Sequence, residues 1–318
     1  MPRFTAGLLL LASLSGCSSA GTTEPVQFVR EDWSYRGASG ARLSSESYVI
    51  YTTCRSAPFV DALPAFLESC RKAYAELLPP TITPDQPMET YLFQSRWHWE
   101  RFTEEFTGPR ADIYKQIRSG GYSERGVTVS HYGTRRSTLS ILAHEGLHQY
   151  LEVTHGKPIP AWLNEGLACY FESFDLDADN RPIFTPEQNT LRTPALRDAL
   201  RKNGLQPIHQ ILATDAGQEI HKRSPEVLAY YAQTWSIVVF LMRPDRKNPY
   251  YAGFRELLNE LGTEQMERRA RAFMAADTDG NMSFGEAIFR AYVTDDLEKF
   301  DSDYRDWLVK LLAMESYQ

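Results

Sequence analysis

Two histidines and a glutamate stand close together in the run His144-Glu145-Gly146-Leu147-His148. On a helix, side chains four positions apart project from one face, one turn apart, so both imidazoles can reach a single metal ion. The glutamate beside the first histidine can then reach a water molecule on that metal, which is the arrangement of zinc-dependent hydrolases. By residue frequency alone, the pattern occurs in about one chain in a hundred. The surrounding sequence therefore has to decide whether this run is a metal site.

The motif requires a helix, and the sequence predicts one from Ser137 to Val153. Ser137 or Thr134 can cap its start, and Gly156 followed by Pro158 ends it. Apolar residues occupy one side of this helix, and the three ionisable groups gather on another. A helix built only for packing has no need of those groups, so the pattern favours a metal site.

A catalytic zinc ion takes three protein ligands and leaves its fourth position to water. The candidates for the third ligand are His155, Glu165 and Glu172. The metzincin pattern requires a glycine three residues and a histidine six residues after the second histidine, but Leu151 and Thr154 stand there, which argues against His155. Glycine and prolines between residues 156 and 160 can turn the chain back into a second helix that presents Glu165 to the metal. Glu172 is better placed to support a ligand or to lie on the surface.

The segments HEGLH and PAWLNEGLACYFE resemble the gluzincin peptidases, the peptidase-MA-like clan that includes the thermolysin and aminopeptidase types. The resemblance is specific from Thr138 to Glu172, and bacterial proteins of this superfamily are the most similar in pattern. Sixteen residues separate His148 from Glu165, whereas the aminopeptidase type usually has eighteen. The Gly-x-Met-Glu-Asn element that binds a free amino terminus in that type is missing. The resemblance therefore implies an endopeptidase rather than an aminopeptidase.

The resemblance also implies a role for each residue of the motif. Glu145 is expected to be the general base, and Asn164 and Glu172 are candidates to orient the ligands from outside the metal's coordination. One Zn²⁺ per chain is expected, with the ligands His144, His148 and Glu165.

Gluzincins commonly bring a tyrosine hydroxyl from a downstream helix to the developing oxyanion. The helix predicted from Pro225 to Met242 contains Tyr230 and Tyr231. Tyr231, which precedes Ala-Gln-Thr-Trp, is our candidate, and Tyr230 is nearly as good. Packing is the alternative role for either residue in a chain with 17 tyrosines.

The N-terminus has the features of a bacterial export signal. The apolar stretch Phe4–Leu14 is much shorter than the ~20 residues that span a membrane, and it resembles the core of a cleaved signal peptide. Leu-Ser-Gly before Cys17 resembles the lipobox, in which the cysteine is acylated. We therefore predict a signal peptide at residues 1–16 and a lipidated cysteine with a tether at 17–25. By analogy with lipoprotein sorting in double-membraned bacteria, Ser18 instead of Asp after the cysteine favours an exported lipoprotein of the outer membrane, facing the periplasm and anchored through Cys17. An ordinary secretory signal with an incidental cysteine is the less favoured alternative.

The composition is that of a globular protein, with 42% hydrophobic and 12% aromatic residues. A net charge of −7 and scattered basic residues argue against nucleic acid as a partner. The densest basic run, Arg268–Arg271, follows Glu264 and Glu267 at helical spacing and reads as a solvated, internally paired helix face.

The order of elements predicts an α+β protein with a zincin-like fold. We expect a zincin-like α/β part at residues 26–175, with a small mixed sheet and the metal helices, and a mostly helical part at 176–318 that closes the cleft. Strand-like and helix-like runs precede the metal helix at residues 47–53, 62–78, 88–94, 96–105 and 126–131. The last of these resembles the edge strand that pairs with an extended peptide in zinc peptidases. His131 on it is expected to be structural rather than a ligand.

Three cysteines remain after the predicted cleavage site and acylated cysteine. Cys54 and Cys70 are expected to be either two buried thiols or a disulfide, and Cys169 is expected to pack in the core. The run Asp277–Ser283 imitates the start of a calcium-binding loop but lacks the required glycine and the bidentate glutamate. A capped turn is the preferred interpretation there, and weak calcium binding remains an alternative.

Together these features predict a zinc-dependent metallopeptidase of the bacterial cell envelope that acts on a peptide or protein. Envelope proteins, free peptides and peptidoglycan cross-links all remain candidate substrates, and the oligomeric state stays open. The competing hypothesis is a catalytically inactive envelope lipoprotein that retains the fold as a binding or scaffold module. Ligands, base and a candidate oxyanion donor are all present, which favours the enzyme.

Overall fold

A computed structural model describes residues 24–117, 120–214, 225–278 and 280–314. It contains one six-stranded mixed sheet, one small two-stranded sheet and a mostly helical C-terminal part, which confirms the predicted α+β class. The predicted signal peptide and the candidate lipidation site Cys17 lie outside the described residues. Within the described part of the chain, no helix is long and apolar enough to cross a membrane.

The large sheet has the strand order β1-β2-β3-β4-β6-β5. Its centre is parallel, because β3, β4 and β6 run in one direction, and the remaining pairs are antiparallel. These parallel strands are the three that the sequence predicts, whereas β1, β2 and β5 have no clear signal. The strands are β1 (Val29–Tyr35), β2 (Ala38–Ser44), β3 (Tyr48–Thr52), β4 (Met88–Phe93), β5 (Gly121–Glu124) and β6 (Val127–His131).

The prediction that residues 126–131 form the edge strand is wrong by one position in the sheet. Strand β6 lies between β4 and β5, so the edge is β5. Arg125 and Gly126, with φ angles of 54° and 71°, form a tight turn that folds β5 back along β6. Two consecutive residues in the left-handed region suit the twist of a two-residue hairpin. The short strand before this turn therefore takes the outer position.

Helices cover both faces of the sheet. Helices α1 and α4 pack on one face, and α2 packs on the other with an aromatic cluster that includes Trp99 and Phe93. Trp97, on the same helix as Trp99, is 51% exposed and does not join this core. The helices of this part are α1 (Ala57–Leu77), α2 (Arg96–Thr107), α3 (Ala111–Tyr114), α4 (Arg135–Thr154) and α5 (Ala161–Tyr170).

Helix α4, which carries the histidine motif, is fixed at its start and along its buried side. Thr134 caps it, because its hydroxyl accepts from the backbone N–H of Ser137 and the Ser137 hydroxyl accepts from that of Thr134. The buried amide of Gln149 donates to the carbonyl oxygens of Glu89 and Gly126, both at 2.7 Å. These bonds tie α4 to β4 and to the β5–β6 turn, so the sheet determines the position of the motif.

The C-terminal part is mostly helical, as predicted, and the predicted helix Pro225–Met242 is present as Pro225–Leu241. Two of its elements have no clear sequence signal. They are a small hairpin of β7 and β8, which follows α5, and a short helix α7, which follows α6. The elements are β7 (Phe174–Leu176), β8 (Pro182–Phe184), α6 (Thr193–Arg201), α7 (Ile208–Ala213), α8 (Pro225–Leu241), α9 (Tyr251–Glu260), α10 (Glu264–Ala276), α11 (Phe284–Tyr292) and α12 (Leu297–Met314).

Three predictions away from the motif are confirmed. All three described cysteines are free and buried, so Cys54 and Cys70 are two thiols rather than a disulfide, and Cys169 packs in the core. Arg268 and Arg271 pair with glutamates one turn earlier on α10. A turn capped by Ser283, whose hydroxyl accepts from a backbone N–H of the first turn, begins α11.

The contact between α5 and α8 depends on Gly166. A Cβ atom there would lie 2.6 Å from Cγ2 of Val238 and 2.7 Å from the carbonyl oxygen of Thr234, both on α8. Van der Waals contact between carbon atoms requires about 3.5 Å or more. Only glycine therefore lets the two helices approach this closely, and Gly166 is the residue next to Glu165.

We expect Gly166→Ala to lower the free energy of unfolding by about 1–3 kcal/mol, because α8 must shift to admit the methyl group. The gain in helix propensity of about 1 kcal/mol does not offset this overpacking. Urea unfolding measures the change. Gly204→Ala is the control, because its nearest atom would be 3.6 Å away. Equal stability of the two variants would contradict the close approach.

Candidate metal centre

The two motif histidines face each other across one turn of α4. Their Nε2 atoms are 3.2 Å apart, and their ring planes are nearly perpendicular. His144 and His148 are largely buried, with side chains 11% and 17% exposed. Helix periodicity brings them together, and the tie between Gln149 and the sheet fixes their position.

Helix α5 places Glu165 directly opposite the two imidazoles. Its Oε2 atom is 3.5 Å from Nε2 of His144 and 3.4 Å from Nε2 of His148. This oxygen is buried and has no hydrogen-bond partner in the described structure. The loop of residues 155–160 turns the chain so that α5 begins at Ala161 and packs against α4. The structure thus brings together the three residues that the sequence predicts as ligands.

Each histidine is held at its other ring nitrogen. Nδ1 of His144 lies 2.8 Å from Oε1 of Glu172, and Nδ1 of His148 lies 2.9 Å from Oδ1 of Asn164. Because a carboxylate only accepts hydrogen bonds, Nδ1 of His144 carries the proton, and the same arrangement with the amide oxygen holds for His148. The lone pair of each imidazole is then at Nε2 and points toward Glu165.

The donor atoms fit a zinc ion. Two imidazole nitrogens and one carboxylate oxygen are ligands that Zn²⁺ accepts, and bonds of 2.0–2.2 Å at tetrahedral angles separate the ligand atoms by about 3.3 Å. The separations here are 3.2–3.5 Å. Acceptor atoms that face one another in a buried site can share a cation, and Oε2 of Glu165 has no hydrogen-bond partner among the described residues.

Glu145 lies beside the cluster but is not one of its three converging groups. Burial raises the pKa of its carboxyl group, and the two neighbouring histidines oppose this shift. Gly121 at the start of β5 lies next to it, because a Cβ there would be 3.3 Å from Cγ of Glu145 and 2.8 Å from the carbonyl oxygen of Val129. The edge strand therefore passes close to the candidate base.

Of the two candidate tyrosines, Tyr231 lies at the cluster. Its ring centroid is 6.3 Å from that of His144, in an edge-to-face arrangement. Burial raises the pKa of its hydroxyl well above the usual value, and the charge of Glu165 adds to the shift. Tyr230 is 1% exposed and belongs to the hydrophobic core.

Two residues at the site have no recognisable signal in the sequence. Arg192 forms a bidentate ion pair with Glu172, and Asn189 donates from Nδ2 to Oε2 of the same carboxylate at 3.0 Å. Burial alone would raise the pKa of Glu172, but the charge of Arg192 and the bonds from His144 and Arg192 lower it. Both residues lie in an irregular stretch after β8, where neither spacing nor motif could indicate them.

Three further residues of types that bind metals, His155, His131 and Cys169, lie outside the three converging groups. His155 bonds through Nδ1 to the hydroxyl of Thr154 at 2.8 Å, and burial lowers its pKa to about 4. His131 lies against Trp99 on the far face of the sheet. Cys169 is 4.0 Å from Nδ1 of His144, but that nitrogen is occupied by Glu172. Burial raises the pKa of the Cys169 thiol, which suits a packing role.

Comparison with known proteins identifies a similarity over the part of the chain that contains this site. A family model described as a protein of unknown function, DUF1570, matches residues 137–260. No curated protein matches the chain. The matched segment runs from α4 to the end of α9 and includes the three converging residues and Tyr231. It also includes Glu172 and Asn164, which bond to the other ring nitrogens of the two histidines. The chain is thus similar to DUF1570 over the whole candidate metal centre.

Proposed function

We propose that this protein is a zinc-dependent metallopeptidase of the gluzincin type. The observation that carries the proposal is the convergence of three acceptor atoms, from His144, His148 and Glu165, with the carboxyl group of Glu145 beside them. Bound zinc would supply Lewis-acid polarisation of a substrate carbonyl and a more acidic water molecule. The chain's own residues supply proton transfer and orientation.

Glu145 is the residue that moves the proton. Its carboxylate accepts a proton from the attacking water, and the water oxygen bonds to the carbonyl carbon of the peptide. The same carboxyl group then delivers the proton to the amine nitrogen as the C–N bond breaks. A pKa raised by burial suits a group that must both accept and donate near neutral pH.

Tyr231 and the edge strand β5 orient the substrate. The Tyr231 hydroxyl donates a hydrogen bond to the oxyanion of the tetrahedral intermediate. An extended peptide adds to the outer edge of β5 through backbone hydrogen bonds, since Gly121 on that strand lies beside Glu145. Because a strand edge binds the middle of a chain as well as its end, we propose an endopeptidase that cleaves peptides or proteins.

The proposed location is the bacterial cell envelope. Acylation of Cys17 after removal of residues 1–16 would tether the protein to the outer membrane, facing the periplasm. The sequence that resembles a signal peptide and lipobox supports this proposal. Labelling with a radioactive or clickable fatty acid in the wild type and in Cys17→Ala tests it.

We expect the purified protein to contain about one zinc ion per chain and His148→Ala to contain almost none. With only two protein ligands left, the zinc ion is expected to dissociate during gel filtration. Elemental analysis after gel filtration measures the zinc content. His209→Ala is the control, because His209 is exposed on α7. Equal zinc in the two variants would rule out the ligand assignment.

Glu145→Gln should retain zinc and lower kcat for peptide hydrolysis by about 10²–10⁴-fold, because the amide cannot accept a proton. A quenched fluorescent peptide library measures the activity. Glu152→Gln, on the same helix but bonded to the Gly126 backbone, should keep wild-type activity. A zinc-loaded wild type that cleaves no peptide would favour the inactive scaffold instead.

Tyr231→Phe should lower kcat by about 10²–10³-fold with KM and zinc content unchanged, because the hydroxyl acts on charge that develops only during the reaction. Tyr230→Phe is the matched control on the neighbouring position and should change kcat little. A larger loss in Tyr230→Phe would exchange the roles of the two tyrosines.

A further inference from the structure

The guanidinium of Arg192 completes the bonding of the carboxylate that holds His144. Its Nε donates to Oε2 of Glu172 at 2.8 Å, and its Nη2 donates to Oε1. The Glu172 side chain is only 4% exposed and that of Arg192 only 18%. A buried carboxylate without its partner would carry an uncompensated charge. The geometry of Glu172 at His144 therefore depends on Arg192.

The same guanidinium also contacts the candidate oxyanion donor. Its central carbon lies 5.1 Å from the ring centroid of Tyr231, within the range of a cation–π interaction. The Tyr231 ring in turn meets the His144 ring edge-to-face at 6.3 Å. His144, Glu172, Arg192 and Tyr231 thus form a closed ring of contacts. His144 in this ring belongs to the candidate metal centre, and Tyr231 is the candidate oxyanion donor.

Arginine is the residue type that both contacts require. Its planar group presents two donors side by side to a carboxylate and a flat face to an aromatic ring. A lysine retains the charge but is a point donor, so it reaches one oxygen and gives the ring no flat surface. Charge alone therefore does not reproduce the arrangement.

The side chain of Asn189 fixes the position of the Arg192 backbone. The side-chain oxygen of Asn189 accepts from the backbone N–H groups of Leu191 and Arg192, at 3.1 and 3.3 Å. Its amide nitrogen donates to Glu172 and to the carbonyl oxygen of Cys169. Asn189 is 1% exposed, so the backbone that carries Arg192 is held from inside the protein.

We propose that Arg192 is a positioning residue that holds Glu172 against His144 and the Tyr231 ring beside it, so that zinc affinity and turnover depend on one guanidinium. This inference deepens the proposed function and rests on it for the roles of His144 and Tyr231. Arg192 acts through these neighbours and is not assigned a contact with the substrate.

The test uses Arg192→Lys in the full chain. Competition with a chromophoric chelator should show zinc affinity lower by about 10–100-fold, as for loss of other groups that orient a ligand. At saturating zinc, kcat should fall with KM unchanged, because Tyr231 is no longer held. Tyr231→Phe alone should leave zinc affinity unchanged. In the double variant Arg192→Lys/Tyr231→Phe, the fold-loss in kcat should be clearly less than the product of the fold-losses in the two single variants, because both substitutions act through Tyr231.

Arg136→Lys is the matched control. Arg136 lies on α4, stacks on the ring of Phe174 at 4.3 Å and donates to its carbonyl oxygen, but it contacts none of the four residues of the ring. Neither zinc affinity nor kcat should change in this variant. If Arg192→Lys does not fold, Asn189→Ser replaces it, because it keeps both charges of the Arg192–Glu172 pair and loosens the backbone that carries Arg192; zinc affinity and kcat should then both fall.

The outcomes separate this inference from the proposed function. Wild-type zinc affinity in Arg192→Lys would overturn the positioning role while leaving the peptidase intact. The same holds if the loss in kcat of the double variant equals the product of the losses in Arg192→Lys and Tyr231→Phe. Zinc binding by a wild type that cleaves no peptide would overturn the peptidase, and the zinc affinity of Arg192→Lys would still decide the first half of the inference. A wild type that takes up no zinc would overturn both.

Discussion

Three electron-pair donors converge in a buried site, and contacts with the surrounding structure hold them there. Two imidazole nitrogens and a carboxylate oxygen lie within 3.5 Å of one another, where they repel unless a cation lies between them. Hydrogen bonds at the opposite nitrogens, from His144 to Glu172 and from His148 to Asn164, prevent the rings from turning away. The orientation of each lone pair is thus determined outside the cluster itself.

Packing between helices provides the second constraint. Helix α4 is tied to the sheet through Gln149 and to α1 through the Tyr74 hydroxyl, which donates to the carbonyl of Ala143 at 2.7 Å. Helix α5 lies between α4 and α8, and the missing side chain at Gly166 sets its distance from α8. Because Glu165 and Gly166 are neighbours, one close approach determines where the carboxylate lies relative to the histidines and to Tyr231.

The local elements follow from local rules and were predictable. Alternation and β-branched residues identify the three parallel strands, and the periodicity of apolar residues identifies the long helices. Helix α1 begins earlier than predicted because Pro58 occupies its first turn, where a missing N–H costs no hydrogen bond. Strands β1, β2 and β5 were missed because polar and glycine-rich runs become strands only through pairing with neighbours.

The sequence by itself determined the histidine pair and the glutamate beside it, since helical periodicity alone places His144 and His148 on one face. It also indicated Glu165, through the turn that follows α4 and the resemblance to gluzincins. Only the tertiary structure decided that β5 is the edge strand, that Tyr231 rather than Tyr230 lies at His144, and that Arg192 binds Glu172. These outcomes depend on contacts between residues far apart in the chain, and no local pattern encodes the packing that brings such residues together.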